Sequence, residues 1–178
     1  WWLQRRMNTR TKMAFTPLSR SEAEEILLWR YPPPYDFYNP PLLTAGIIEN
    51  LIAPEWQFHS ITTETGLIGY ASFGPDGQLP GGDYQAEALD LGLGLRPDLT
   101  GAGFGFDFVS AIRDFAYERF APEALRVTVA GFNNRALRIY DRLGFVAVSR
   151  FQYQQTSYTI LQLKQTASPS ARRSQAAK

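Results

Sequence analysis

Two stretches of this chain carry residue types and spacings that could do chemistry. The first is Thr100-Gly101-Ala102-Gly103-Phe104-Gly105, where three glycines leave backbone N–H groups unshielded just ahead of a helix-like pattern. Unpaired amides in a first helical turn, reinforced by the positive end of the helix dipole, bind anions such as phosphate. A tight strand-to-helix turn that binds nothing has the same glycine pattern, so this run alone leaves both readings open. The second stretch is Arg126 to Phe145, in which Asn133 or Asn134, Ala136, Tyr140 and Gly144 fall at intervals that put a phenol two turns into a capped helix. A phenol on the inward face of a helix needs a polar partner or an opening, and it can serve as a general acid.

The elements that must position these residues are legible around them. From Leu89 to Leu95 every second residue is Leu, with Asp90, Gly92 and Gly94 between, the alternation of a strand with one buried face. Its glycines mark a bulge or a close approach by a ligand or another backbone, so this strand can open away from a neighbour. Phe104, Phe108, Ala111, Ile112 and Phe115 then recur at helical spacing, with Asp107, Ser110, Asp114 and Glu118 assigned to the outer side. Arg126 to Ala130 is a short β-branched strand. The helix after it shows Ala136, Leu137, Tyr140 and Leu143 on one face and Arg135, Arg138, Asp141 and Arg142 on the other, and Gly144 sits where a helix ends.

Upstream, Phe15 to Leu18 reads as an edge strand, and Ser19 with Glu22 as a capping box for a helix through Trp29. Arg30 to Pro41 is too rich in proline for a helix or a central strand, and it displays Tyr31, Tyr35, Phe37 and Tyr38 on a stiff segment. Leu42 to Leu51 suggests a short helix. Trp56 to Glu64 and Leu67 to Phe73 suggest a hairpin, GPDGQLPGGD a loop, and Phe145–Tyr153 and Tyr158–Leu163 a final strand pair. His59, the one histidine, falls on a strand and reads as structural.

Together these motifs resemble the GNAT superfamily of acyl-CoA-dependent N-acetyltransferases: T-G-A-G-F-G opening a helix, followed some thirty residues later by N-x-x-A-x-x-x-Y-x-x-x-G-F. The resemblance implies an α+β fold, a mixed central sheet of about six or seven strands flanked by four helices, with a splayed strand pair forming the acyl-CoA cleft. It implies acetyl-CoA as co-substrate and no metal. The amides of Thr100, Gly101, Ala102, Gly103, Phe104 and Gly105 would hold its pyrophosphate, Thr100 standing where the family has a long polar side chain. Leu93 and Leu95 would offer N–H groups to the pantetheine and thioester, Asn133 would border the pantetheine arm, and Tyr140 would protonate the leaving thiolate. Asp90 and Glu87 are the candidate bases, although either could equally be a surface acid or a strand-pairing residue. Tyr31, Tyr35, Phe37 and Tyr38 would wall the acceptor site, or else pack an ordered loop onto the core.

The implied activity is acetyl transfer to a primary amine of a small molecule or peptide by direct attack in a ternary complex. The rival is a catalytically idle acyl-CoA-binding sensor or partner-binding module. At 178 residues the chain supports one domain, placed at residues 14–163, with an extension at 1–13 that is disordered or non-native and a disordered basic tail at 164–178. Met7 and Met13 are possible starts. With no cysteine, disulfides and thiolate chemistry are excluded, and a cytoplasmic setting fits. The formal charge of +1 hides an acidic body: residues 14–163 hold ten arginines against seventeen acids, net −7. That argues against nucleic acid as a partner and favours a cationic or amine substrate, unless the acids merely solvate the surface, and no apolar run is long enough for a membrane. A monomer or a homodimer is expected.

Overall fold

The computed structural model describes residues 11–42 and 44–165. Residues 1–10 and 166–178, which hold most of the expected extension and tail, lie outside the described residues. In chain order the elements are β1 (Ala14–Pro17), α1 (Arg20–Leu27), α2 (Ala45–Ile52), β2 (His59–Thr63), β3 (Gly66–Phe73), β4 (Leu89–Leu95), α3 (Gly105–Phe120), β5 (Ala124–Ala130), α4 (Asn134–Arg142), β6 (Val146–Tyr153) and β7 (Thr156–Lys164). The seven strands form one open sheet in the order β1-β2-β3-β4-β5-β7-β6. Every pairing is antiparallel except β4 with β5. This is the α+β architecture expected of the sequence.

Local chemistry explains the boundaries. Ser19 and Glu22 close a reciprocal capping box on α1, Thr44 caps α2, and the Asn133 side chain accepts from the Ala136 amide to start α4. Trp56 belongs to a short 3-10 turn, Pro54–Trp56, and not to the strand read from its alternation; the strand begins at His59. Proline at the head of that turn presets its φ and leaves no N–H to satisfy. At the other end, Lys164 pairs with Ala124 and so belongs to β7, one residue past the expected domain end.

Two apolar clusters grip the sheet. On one side α3 buries Phe108, Ile112 and Ala116 against Ile61, Ala71, Leu91, Leu125 and Val127. Beneath α1 and α2, a second cluster gathers Ala23, Ile26, Leu27, Trp29, Ile48 and Leu67. Each fully buried large side chain is worth about 1.5–3 kcal/mol. Ser110, assigned by periodicity to the outer side of α3, is buried with its hydroxyl unpaired among the described residues. His59 is buried too, edge-on to Phe73 and Phe115, in a structural position.

Candidate active site

The site begins where β4 and β5 part. They pair only through Leu89 with Leu125 and Asp90 with Arg126. From Leu91 to Leu95, β4 keeps its ladder with β3 alone, while β5 turns wholly to β7. The wedge between them opens into a cleft of about 430 Å³. Leu93 and Leu95 lie along its β4 wall and Asn133, Arg135 and Tyr140 along its far side.

At the last shared rung Asp90 and Arg126 form a buried bidentate pair, with Nε to Oδ1 at 2.6 Å and Nη2 to Oδ2 at 2.7 Å. Gln78 donates a third bond to Asp90, and Arg126 donates to the Ala86 carbonyl and stacks on Tyr84. Asp90 therefore has both carboxylate oxygens engaged and lies outside the cleft lining, so it is a structural ion pair and not the base that the sequence offered. Glu87 is exposed and also outside the lining.

The glycine run curls over the cleft mouth. Gly101 and Gly103 take φ of +74° and +90°, and a Cβ on Gly103 would meet nothing within 4 Å. Among the described residues, the amides of residues 101–107 donate to no hydrogen-bond partner, and no side chain caps α3. That row of free donors at the head of a four-turn helix fits an oligo-anion such as a pyrophosphate. Thr100 is a correction: its amide and its hydroxyl both donate to the Pro97 carbonyl, so the row begins at Gly101. The side chains of Ala102 and Phe104 are exposed and do not line the cleft, which leaves them only their amides to offer. Gly105 serves packing, since a Cβ there would lie 2.6 Å from Ile139 of α4.

On α4, Tyr140 is 4% exposed, packs edge-on to Phe145 and opens to the cleft. Burial pushes its phenol up, so it stays protonated at neutral pH. Asn133 turns its Nδ2 to the Tyr38 hydroxyl at 3.2 Å while capping the helix. Arg135, Arg138 and Arg142 are exposed, as their place on the face opposite Tyr140 predicts, and they also line the cleft. Arg135 lies over the Tyr35 ring and beside Gly101, and Arg142 lies over Phe106.

The proline-rich segment is a strap across the mouth. Tyr31 donates to the Leu95 carbonyl at 2.9 Å on one arm, while Tyr35, Phe37 and Tyr38 gather around Phe132 on the other. Tyr31, Tyr35 and Tyr38 line the cleft; Phe37 does not, being half exposed and packed on Phe132 and Tyr38. Sequence reasoning missed Tyr70, whose ring covers Gly94 and whose phenol is pushed up to about 12 by burial and the Asp76 carboxylate. The signal was there in part: a strand glycine leaves room for whatever sits across from it, and Tyr70 pairs with Gly94.

The GNAT acetyltransferase domain family matches residues 5–146. This chain is a GNAT acetyltransferase family member. Its fold is shared with a chimera of the Vibrio cholerae spermidine N-acetyltransferase SpeG and hSSAT, at a TM-score of 0.69 and 14% identity, over 86% of this chain and 96% of that one. An aminoglycoside acetyltransferase in complex with coenzyme A aligns at 0.68 and 13% identity, over 86% and 95%. The Campylobacter jejuni N-acetyltransferase PseH aligns at 0.60 and 19%, over 86% and 99%. No curated protein matches the chain. No helix among the described residues is long and apolar enough to cross a membrane.

Proposed function

We propose that this family member is an acetyl-CoA-dependent N-acetyltransferase that acetylates a primary amine of a small molecule or peptide within a ternary complex. The observation that carries the reading is the convergence of the free amides of Gly101, Gly103, Gly105 and Phe106, the β4 edge left unpaired by β5 and Tyr140 on one cleft. The co-substrate supplies an acyl group activated as a thioester. Residues 101–107 would hold its phosphates, with Arg135 close beside them. The β4 edge, freed from β5 after Asp90, offers backbone groups to an extended arm, as a missing strand would use them. Asn133 borders that arm, and Tyr140 holds the proton that a departing thiolate requires.

Tyr31, Tyr35 and Tyr38 of the strap line the same cleft and would wall its acceptor side. A thiol-release assay with acetyl-CoA and a panel of amines tests the reading: free thiol should form only when an amine is present. Tight acetyl-CoA binding with no release across the panel would favour the idle binding module instead.

A further inference from the structure

The charge that lines the cleft is one-sided. All seventeen carboxylate side chains of the chain belong to the described residues, and none of them lines the cleft. Its ionisable groups are Tyr31, Tyr35, Tyr38, Tyr70 and Tyr140 with the three arginines of α4. The sole histidine is packed between Phe73 and Phe115 and does not line the cleft. Asp76 is a carboxylate near the Gly92 end of β4, but it is exposed, accepts from the Ser72 hydroxyl at 2.8 Å, and lies outside the lining.

From this lining we infer that the acceptor is a weakly basic monoamine on an uncharged, ring-bearing body, and that polycationic amines are excluded. The inference rests on the transferase reading and narrows its substrate. A second ammonium group would find phenols and guanidinium groups but no carboxylate to pair with, and a desolvated unpaired cation is costly. The rings of Tyr31, Tyr38 and Tyr70 along the lining instead suit a ring or an apolar body.

Basicity follows from the same list. An amine attacks only when neutral, and the cleft holds no group that accepts its proton at neutral pH: the arginines are cations, and burial holds Tyr31, Tyr38, Tyr70 and Tyr140 in the phenol form. The acceptor must therefore arrive already deprotonated. At pH 7 an α-amino group of ordinary pKa is neutral about 300 times more often than a lysine-like amine. Its weaker nucleophilicity takes back only part of that advantage.

The test uses three amines with the full chain and acetyl-CoA: phenylalaninamide, phenethylamine, which has the same ring on a more basic amine, and spermidine. We expect kcat/KM at pH 7 to be highest for phenylalaninamide, by about tenfold or more over the other two. For phenethylamine, kcat/KM should climb about tenfold per pH unit from pH 6 to 9, with no break belonging to the protein, and Asp76→Asn should leave that slope unchanged. A preference for spermidine, or a protein break below pH 8 that Asp76→Asn removes, overturns the inference while leaving the transferase reading intact. Should no amine turn over, the transferase reading fails and amine binding to the CoA-loaded protein still decides: weaker binding of spermidine than of phenylalaninamide supports the one-sided cleft, and the reverse overturns it.

Discussion

The two ends of β4 lead different lives. At Asp90 the strand is held on both sides, pairing with Arg126 of β5 and accepting at its carbonyl from the Gly74 amide, while its carboxylate accepts from Arg126 and Gln78. At Gly92 to Leu95 it has one neighbour, its side chains alternate between Leu and nothing, and its free edge faces a cleft. One half of the strand is saturated and the other half is left incomplete. The saturated half holds the wedge open: the charged pair locks the last shared rung, and beyond it β5 is committed to β7 along its whole length.

The largest expected effect would break the closed half. Arg126→Met leaves Asp90 buried without its cation and should cost about 3–5 kcal/mol in denaturant unfolding. A loss under about 1 kcal/mol would show that the pair is not what closes the strands. In the open half, Tyr140→Phe keeps the packing and removes the proton. It should lower kcat by roughly a hundredfold, the low end of general-acid effects, with acetyl-CoA affinity unchanged. A kcat within threefold of the parent, with chemistry rate-limiting, would falsify that role.

Gly103→Val should weaken acetyl-CoA binding by about tenfold or more, roughly 1.4 kcal/mol. Its φ of +90° is hostile to a branched side chain, and its open face is where the anion would approach. Calorimetric titration reads this directly; unchanged affinity would move the anion site elsewhere. A smaller effect belongs to Tyr31→Phe, which removes one bond to the Leu95 carbonyl, worth about 0.5–1.5 kcal/mol, and should raise KM for the amine more than for acetyl-CoA.

Smallest is a pH effect that sharpens the contrast. Burial raises the phenols of Tyr31, Tyr70 and Tyr140, so folding favours their protonated form. Their contribution is fully present below the ordinary tyrosine value of about 10 and is lost as pH rises through the folded values, about 12 for Tyr70. The melting temperature should be flat from pH 6 to 9 on their account and fall above pH 10. The fall should shrink in Tyr70→Phe.

The open half of β4 was easy to read from the sequence. Its Leu alternation gave the strand Leu89–Leu95 residue for residue, and the glycines, the capping asparagine and Tyr140 are local signals that do not depend on distant partners. The partner of the closed half was not readable. Asp90 meets Arg126 across thirty-six positions, and only the parallel register reveals that each is the other's counter-ion. The arginines of α4 were read as exposed, which they are, but their place in the cleft lining was hidden for a related reason: apolar periodicity cannot distinguish the rim of a wedge from open solvent. The strap's aromatic residues were visible, but their destination at Phe132 was set by the fold of the other arm.

That strap acts as a gauge. Tyr31 is fastened to the end of β4 and Tyr38 to the residue that starts α4, so the separation of the two arms is spanned by a short, proline-stiffened length of chain. The aperture is thus measured off along the sequence between those two tyrosines. Adding one residue there would widen the slot without replacing any side chain that lines it, and the reach of the acceptor across the slot would be retuned by chain length.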